Sequence, residues 1–407
     1  MTFPRVAGAT IPLSSIRTRT GWGIGEIPDL VPCAAWIASG GLKLLQILPP
    51  YELARGETSP YGARTAFGLD PMYIALDQVE DLDAQTIDSA LGAEGKAELE
   101  RLRSLPRVEF DAVRTLKTKV LHLAFERFRE REWMNDTARA KALREFIDHE
   151  SSWANDLALY VALRESHEDF AWKMWPEGER TRNREALAAA HRKHAERVVE
   201  HQYTQWIAHE QWARARAKMK ELGVELMGDL PFVVGGESAD VWSHADLFLH
   251  DASLGAPPDA FAPEGQDWGL PPYDWQAMQA EKEGWMRART QHAARLYDRF
   301  RLDHVVGYFR MFVRPMTEKK GHFEPRDEDA QLARGKRELG AIGEEAARGG
   351  AQVIAEDLGV IPVFVRKALA AMHLPGYRVI PWERAWNAKG KPYLDPKTFP
   401  KESVASW

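Results

Sequence analysis

Four short segments of this chain carry an acidic residue directly after an apolar run, where it could take part in chemistry. They are MGDLP with Asp229, RLDH with Asp303, AEDLG with Glu356 and PWE with Glu383. An acid at a strand-to-helix junction often caps the next helix, and that interpretation suits any one of the four alone. Their repetition favours a shared site, because a cap serves only its own helix.

Carboxylates gathered at one place can cleave a glycosidic bond. One acid protonates the leaving oxygen, and a second attacks or stabilises the anomeric carbon. A magnesium or calcium site is the alternative, since both ions prefer hard oxygen ligands. The chain contains neither a DxDxDG calcium loop nor an HExxH zinc helix. We therefore predict glycoside chemistry without a metal and without a cofactor.

The segments that must position these acids have the pattern of buried strands. The acids follow continuous apolar runs, and a similar run, LKLLQILPP, occupies residues 42–50. Such runs are typical of parallel strands buried on both faces, whereas a half-exposed strand would alternate. Helical segments such as 280–300 and 363–374 separate the runs and give βα repetition. In a parallel barrel the active site lies at the carboxyl ends of the strands, where these acids are found.

This repetition predicts an α/β fold, namely a (β/α)8 TIM-type barrel with helical insertions. No GxGxxG or GxxxxGK[ST] phosphate loop supports an open doubly wound sheet instead. We expect residues 1–80 to form the first part of the catalytic barrel, 81–222 a largely helical insertion, and 223–407 the continuation of the barrel. The insertion has few turn signals, and stretches such as 110–132 are amphipathic.

Composition limits the possible partners. Hydrophobic residues make up 44% and charged residues 28% of the chain, the balance of a soluble globular protein. A net charge of -6 provides no cationic surface for nucleic acid or anionic lipid. Cys33 is the single cysteine, and no signal peptide or membrane span is evident. We expect a neutral partner, no nucleic acid, no membrane and a cytoplasmic location.

Five segments resemble, in order and spacing, the signature blocks of the amylomaltase family of 4-α-glucanotransferases. They are TSPYGARTAFGLDPMYIAL (58–76), GDLPFVVGGESADVW (228–242), GAPPDAFAPEGQDWGLPPYDW (255–275), FRLDHVVGYFR (300–310) and IAEDLGVIP (354–362). The resemblance implies a retaining enzyme that transfers segments of α-1,4-glucans between maltooligosaccharides. Hydrolysis by the same carboxylates is one alternative, and a truncated, inactive glucan-binding protein is another.

By that resemblance, Asp303 occupies the position of the nucleophile and Glu356 that of the acid/base. Arg301 and His304 flank Asp303, and a cationic neighbour would keep its carboxylate ionised. Glu356 follows the apolar run QVIA, where burial would raise its pKa and keep it protonated. In a retaining enzyme the two carboxyl groups should lie about 5 to 5.5 Å apart. Asp357 should point to the opposite face and serve a structural role.

The same resemblance assigns a substrate-binding role to five further positions. They are Tyr61, Asp229, Trp268, Arg301 and His304. For Tyr61 and Trp268 a packing role is the alternative, because aromatic residues beside Gly and Pro often fix loops. The Gly and Pro residues around Trp268 are typical of a loop held in a defined shape beside a cleft.

Two features depart from the family pattern. Ala260 stands where many members have an aromatic residue, so one stacking contact with the acceptor sugar is expected to be absent. The family also continues, shortly after a segment like ESVAS, into a THD block that holds a third catalytic aspartate, whereas this sequence ends at Trp407. We therefore expect a fragment that lacks the last strand and a half of the barrel and has reduced activity and stability. The alternative is a complete chain that closes its barrel differently.

Overall fold

The structure is a computed structural model that describes residues 5–258, 262–317 and 320–407, so Ala260 lies outside the described residues. The chain divides into two compact units. The first, called here the helical unit, is formed by Ala7–Leu226 and Val234–Ala245. The second, called the sheet unit, is formed by Met227–Val233 and Asp246–Trp407, with the N-terminal residues up to Val6.

The helical unit combines a short parallel strand pair with α-helices. The strands are β1 (Gly8–Thr10) and β2 (Leu44–Gln46), in the register Gly8 to Leu44. The helices are α1 (Leu30–Ser39), α2 (Ala84–Ser104), α3 (Phe110–Arg131), α4 (Ala138–His149), α5 (Ala154–Ser166), α6 (Glu177–Arg180), α7 (Arg184–Lys193), α8 (Ala195–Glu221) and α9 (Ala239–Ser243).

Helix α8 lies at the centre of this unit. It packs against α1, α3, α4, α5 and α7, and its residues from His201 to Ala208 are all buried. Helices α2, α4, α7 and α9 begin with a side-chain cap; at the start of α2, Asp83 accepts from Thr86 N at 2.8 Å. The segment read as a helical insertion is thus helical, and its helices cluster with residues 7–80 in one unit.

The sheet unit contains both parallel and antiparallel strands. Its strands are β3 (Glu225–Leu230, which begins in the helical unit), β4 (Ala252–Ala256), β5 (Gln266–Asp267), β6 (Arg299–Leu302), β7 (Met311–Pro315), β8 (His322–Glu324), β9 (Gln352–Ala355), β10 (Gly376–Val379) and β11 (Ser403–Ser406). Its helices are α10 (Trp275–Ala280), α11 (Gly284–Leu296), α12 (Glu328–Arg348) and α13 (Val363–Ala371). Strands β3, β6, β9, β10 and β11 lie side by side in that order, all parallel.

The α/β class is confirmed. Each parallel strand from β3 to β10 lies within or overlaps an apolar run recognised in the sequence, and α11, α12 and α13 precede β6, β9 and β10 as βα repetition requires. The strands are buried, as continuous apolar runs predict; Phe300, Leu302 and Ile354 are at most 2% exposed. The sequence analysis did not predict the separate antiparallel sheet, whose order is β5-β4-β7-β8.

Gly228 precedes Asp229 near the end of β3, at a position where the strand packs closely against a ring. A Cβ atom on Gly228 would lie 2.4 Å from the ring of Tyr297, which leaves no room for a side chain. The ring of the fully buried Tyr297 therefore packs directly on the strand backbone beside Asp229. Elsewhere in the described parts of the chain, no helix is both long and apolar enough to cross a bilayer.

Candidate active site

The strand register brings three of the predicted residues to one face of the parallel sheet. Asp229 on β3 is the register partner of Arg301 on β6. Asp303 is two residues beyond Arg301, and alternate residues of a strand share a face. Asp303 N donates to Leu230 O at 3.1 Å, which continues the strand pairing past the end of β6. The carboxyl edge of β3 and β6 thus presents Asp229, Arg301 and Asp303 together.

Glu356 joins them from the next strand. It follows Ala355, the last residue of β9, and its N–H donates to Leu302 O at 3.0 Å. The acids at the ends of β6 and β9 do not serve as α-helix caps. The next α-helix after β6 is α12, which has Asp327 at its N-cap position, and the next after β9 is α13, which has Pro362 there. The shared-site interpretation therefore describes these two acids better than the capping interpretation.

Arg301 bridges the three carboxylates. Its Nη1 lies 2.9 Å from each carboxylate oxygen of Asp229 and 2.8 Å from Asp303 Oδ1. Its Nη2 lies 3.8 Å from Glu356 Oε2. Asp229 is 1% exposed, so its buried charge requires a cationic partner of this kind. One guanidinium therefore holds the two predicted catalytic acids in a fixed relation.

Burial and hydrogen bonding shift the pKa of Glu356 in opposite directions. Its Oε2 accepts from His304 N and its Oε1 from Leu358 N, both at 3.0 Å. Burial raises the pKa of Glu356 to about 7, the charge of Asp303 adds to this, and Arg301 and the two backbone N–H groups oppose it. The predicted upward direction is confirmed. Near neutral pH such a group can both donate and accept a proton.

Burial determines the charge of His304. Burial lowers the pKa of His304 to about 4, so the imidazole is neutral near pH 7. The cationic neighbour of Asp303 is therefore Arg301 and not His304. His304 also has a positive φ of 45°, a conformation that non-glycine residues adopt only at some cost. This turn directs His304 N toward Glu356.

Trp268 lies beside the acids. Its ring meets the His304 ring edge-on, with centroids 5.0 Å apart and planes at 84°. Trp268 N donates to Leu254 O at 2.9 Å, and its Nε1 donates to Gln266 Oε1 at 2.9 Å. The residue is half-buried, so part of its indole remains accessible. The partly exposed ring contacts the residue that follows the predicted nucleophile, so it is well placed to stack on a sugar.

Two further residues singled out in the sequence are Tyr61 and Glu383. Tyr61 belongs to the helical unit, where it is half-buried and its N–H donates to Ser59 Oγ at 3.4 Å. Its substrate-binding role stays a prediction. Glu383 follows β10 after a short 3-10 turn, and its backbone bonds to Val379, Ile380 and Leu394.

Asp357 has structural contacts. It is 2% exposed and accepts Tyr377 N at 2.7 Å. It also forms ion pairs with Arg378 at 3.2 Å and Arg366 at 3.6 Å. These bonds tie the end of β9 to β10, which agrees with a structural role.

A backbone contact to the predicted nucleophile could not be recognised in the sequence. Phe232 N donates to Asp303 Oδ2 at 3.4 Å. Every residue except proline carries such an N–H, so residue type gives no signal for it. The segment GDLPF places this amide after β3, but only the strand register brings it to Asp303.

Fold and site together define an α/β enzyme with arginine-bridged carboxylates at the carboxyl edge of parallel strands. The family profile of 4-alpha-glucanotransferases matches residues 11–407, and the chain belongs to this family. A 4-alpha-glucanotransferase of Chlamydia trachomatis is 30% identical over 423 aligned residues, which cover 98% of this chain and 75% of that relative. One from Synechocystis is 29% identical over 405 residues, which cover 96% of this chain and 75% of that relative.

Solved structures agree on the fold. The amylomaltase of Streptococcus agalactiae, determined in complex with acarbose, has a TM-score of 0.82 at 24% identity and covers 99% of this chain and 78% of its own. The amylomaltase of Corynebacterium glutamicum has a TM-score of 0.81 at 26% identity, covering 98% of this chain and 54% of its own. The resemblance recognised in the sequence is thereby confirmed.

Proposed function

We propose that this protein transfers α-1,4-glucan segments between maltooligosaccharides by a retaining double displacement. The observation that carries the proposal is the position of Arg301 between Asp303 and Glu356, at 2.8 and 3.8 Å. A carboxylate paired with arginine and a carboxyl with a pKa of about 7 divide the roles of nucleophile and acid between them. Membership of the 4-alpha-glucanotransferase family supports the choice of glucan as substrate.

In the first half-reaction, a carboxylate oxygen of Asp303 attacks the anomeric carbon of a glucose unit in the chain. The bond from that carbon to the next sugar's O4 breaks, and protonated Glu356 gives its proton to this oxygen. The reducing-end piece leaves with a free 4-hydroxyl. A glycosyl ester on Asp303 and an ionised Glu356 remain.

In the second half-reaction, the 4-hydroxyl of another glucan enters and Glu356 takes its proton. The acceptor oxygen attacks the anomeric carbon, and the ester bond to Asp303 breaks. The number of glycosidic bonds is unchanged, and two inversions retain the α configuration. Arg301 supports both steps, because the charge on Asp303 and on Glu356 alternates while the guanidinium stays positive.

The remaining predicted residues would bind the glucan. Trp268 offers a partly exposed indole for stacking. Neutral His304 can donate or accept a hydrogen bond to a sugar hydroxyl without adding charge. Asp229 holds Arg301, and Tyr61 is proposed as a further sugar contact. We also propose that the parallel strands belong to a (β/α)8 barrel, with residues 81–222 as its helical insertion and residues 1–80 and 223–407 as barrel.

Products from maltotriose test the proposal. Transfer gives glucose together with maltopentaose and longer chains while the total number of reducing ends stays constant. Hydrolysis by the same acids gives glucose and maltose, and the number of reducing ends rises. A protein that only binds glucan leaves maltotriose intact.

The matched control is Asp329→Asn, which changes an exposed aspartate on α12. It should transfer like the unchanged protein, whereas Asp303→Asn should give neither products nor new reducing ends. A rise in reducing ends without longer chains would replace transfer with hydrolysis as the function.

A further inference from the structure

A buried arginine lies behind the loop that contacts the predicted nucleophile. Arg289 on α11 is 1% exposed. Within the described ranges, no carboxylate lies at ion-pair distance from its guanidinium, although a buried charge normally needs such a partner. Trp285 provides only a cation–π contact at 5.4 Å. A guanidinium that is buried without an ion-pair partner among the described residues indicates a specific role for Arg289.

The guanidinium binds two successive backbone carbonyls instead. Arg289 Nη2 donates to Pro231 O at 2.5 Å, and Nη1 donates to Phe232 O at 3.3 Å. Tyr273, which is fully buried, donates its hydroxyl to the same Phe232 O at 2.6 Å. Both carbonyls lie directly after β3, so Arg289 and Tyr273 together fix the backbone that follows Asp229.

The peptide group between Pro231 and Phe232 connects Arg289 to Asp303. Pro231 C=O and Phe232 N–H belong to one peptide unit, which is planar and trans, so the two groups point in opposite directions. Arg289 holds the carbonyl end, and the N–H end donates to Asp303 Oδ2 at 3.4 Å. Donation from a cation to the carbonyl also polarises the amide and strengthens its N–H as a donor.

The side chain of Phe232 fixes the same unit from the other side. Its ring packs edge-on against Tyr308 at 4.9 Å and against Tyr273 at 5.6 Å between centroids. A Cβ atom on Gly307 would lie 2.5 Å from the ring, so the ring fills the space available. The peptide has little freedom to rotate, and its orientation depends on the Arg289 hydrogen bond.

We propose that Arg289 is a positioning residue, which acts through the Pro231–Phe232 peptide to hold an N–H against the nucleophile. This inference rests on the proposed role of Asp303. The N–H stabilises negative charge on Asp303, and that charge returns when the glycosyl ester breaks in the second half-reaction. Loss of the hydrogen bond therefore slows departure of Asp303 from the sugar. The 3.4 Å distance is long for a hydrogen bond, as is common before substrate binds.

The variants Arg289→Met and Arg289→Lys test the proposal. A hydrogen bond to a charged group is strong enough that its loss in Arg289→Met should lower kcat about tenfold. KM should fall with kcat, because slower breakage of the ester lets glycosyl-enzyme accumulate. Arg289→Lys keeps a donor for Pro231 O and should recover part of that loss. Intact-mass spectrometry during turnover of α-glucosyl fluoride should show more glycosyl-enzyme in Arg289→Met, which a general loss of structure would not produce.

Two control variants distinguish a positioning role of Arg289 from a contribution to stability alone. Arg287→Met changes an arginine on the same helix that pairs with Glu344 and Glu345, and it should leave kcat unchanged. Tyr273→Phe removes a donor to Phe232 O and also the hydroxyl that accepts from Arg289 Nη1 at 3.2 Å. It leaves the bond from Arg289 Nη2 to Pro231 O in place, so it should cost less than Arg289→Met. If Arg289→Met does not fold, Arg289→Lys must still lower kcat several-fold without raising KM.

The outcomes distinguish this inference from the proposed function. An unchanged kcat in folded Arg289→Met, or in Arg289→Lys where the former does not fold, would overturn the positioning role and leave transfer standing. Equal losses in kcat and melting temperature for Arg289→Met and Arg287→Met would overturn it too. If the unchanged protein fails to transfer, hydrolysis of α-glucosyl fluoride still reports on Asp303, and the same kcat comparison decides the inference.

Discussion

Arg301 Nη1 lies 2.8 Å from Asp303 Oδ1, and the two residues are separated by a single position at the end of β6. Strand alternation alone puts both side chains on one face, so the ion pair needs no loop rearrangement. The same nitrogen contacts the buried Asp229 at 2.9 Å, which limits the positions that Arg301 can occupy. The proposed nucleophile is thus held at the end of a strand, which is more rigid than a loop.

Asp303→Asn should abolish transfer and leave the fold intact. The amide has nearly the same shape as the carboxylate but cannot attack the anomeric carbon. Transfer from maltotriose should fall by at least about a thousandfold, comparable to the loss of a nucleophile in other covalent mechanisms. Circular dichroism should be unchanged. Turnover above a few per cent of that of Asp329→Asn would contradict the nucleophile assignment.

Glu356→Gln should be rescued in part by a good leaving group. Glutamine cannot give a proton to the departing sugar, so transfer from maltotriose should be lost. Fluoride leaves without protonation, so the first half-reaction with α-glucosyl fluoride should persist and glycosyl-enzyme should accumulate. Burst kinetics with the two donors measure the contrast. Equal loss with both donors would show that Glu356 is not the acid.

The raised pKa of Glu356 also predicts a stability effect. A carboxyl whose pKa is about 7 in the folded protein, against an ordinary 4.5, stabilises the fold fully below pH 4.5 and loses that contribution as pH rises through 7. The difference corresponds to roughly 3 kcal/mol at most. Glutamine does not titrate, so Glu356→Gln should gain in melting temperature over the unchanged protein as pH rises from about 4.5 to 7.5.

The control for this effect is Asp329→Asn, whose melting temperature should follow the unchanged protein at every pH. Asp329 is an exposed residue on α12 and belongs to no part of the proposed site. A constant difference between Glu356→Gln and the unchanged protein across this pH range would mean that Glu356 ionises at an ordinary pH. The acid assignment would then lose its electrostatic basis.

The main strands and the acids could be predicted because they depend on local patterns. Continuous apolar runs indicate buried parallel strands, and an acid directly after such a run must lie at the carboxyl edge. Asp303 and Glu356 were placed on neighbouring strands only by the register, which pairs Leu302 with Ala355. The sequence supplied the residues, and the pairing order of the strands made them neighbours.

The features that were missed depend on long-range contacts. The neutral state of His304 follows from its burial, which no local pattern encodes. The antiparallel sheet includes β5, a strand of two residues, Gln266 and Asp267, that is too short and polar to show alternation. Arg289 binds carbonyls 57 and 58 residues away, and such contacts become visible only in the fold.

Trp268→Ala should weaken the use of oligosaccharides more than it weakens the fold. The indole meets His304 at 5.0 Å and is partly exposed, so its removal strips a stacking surface without opening a large cavity. We expect kcat/KM for maltotriose to fall about ten- to a hundredfold, which corresponds to roughly 1.4 to 2.8 kcal/mol, and the melting temperature to fall by only a few degrees.

Trp36→Ala is the matched control, because Trp36 is 68% exposed on α1 in the helical unit. It should leave kcat/KM unchanged. A large drop in melting temperature for Trp268→Ala, with normal kinetics of the folded fraction, would show that Trp268 fixes its loop and does not bind the sugar.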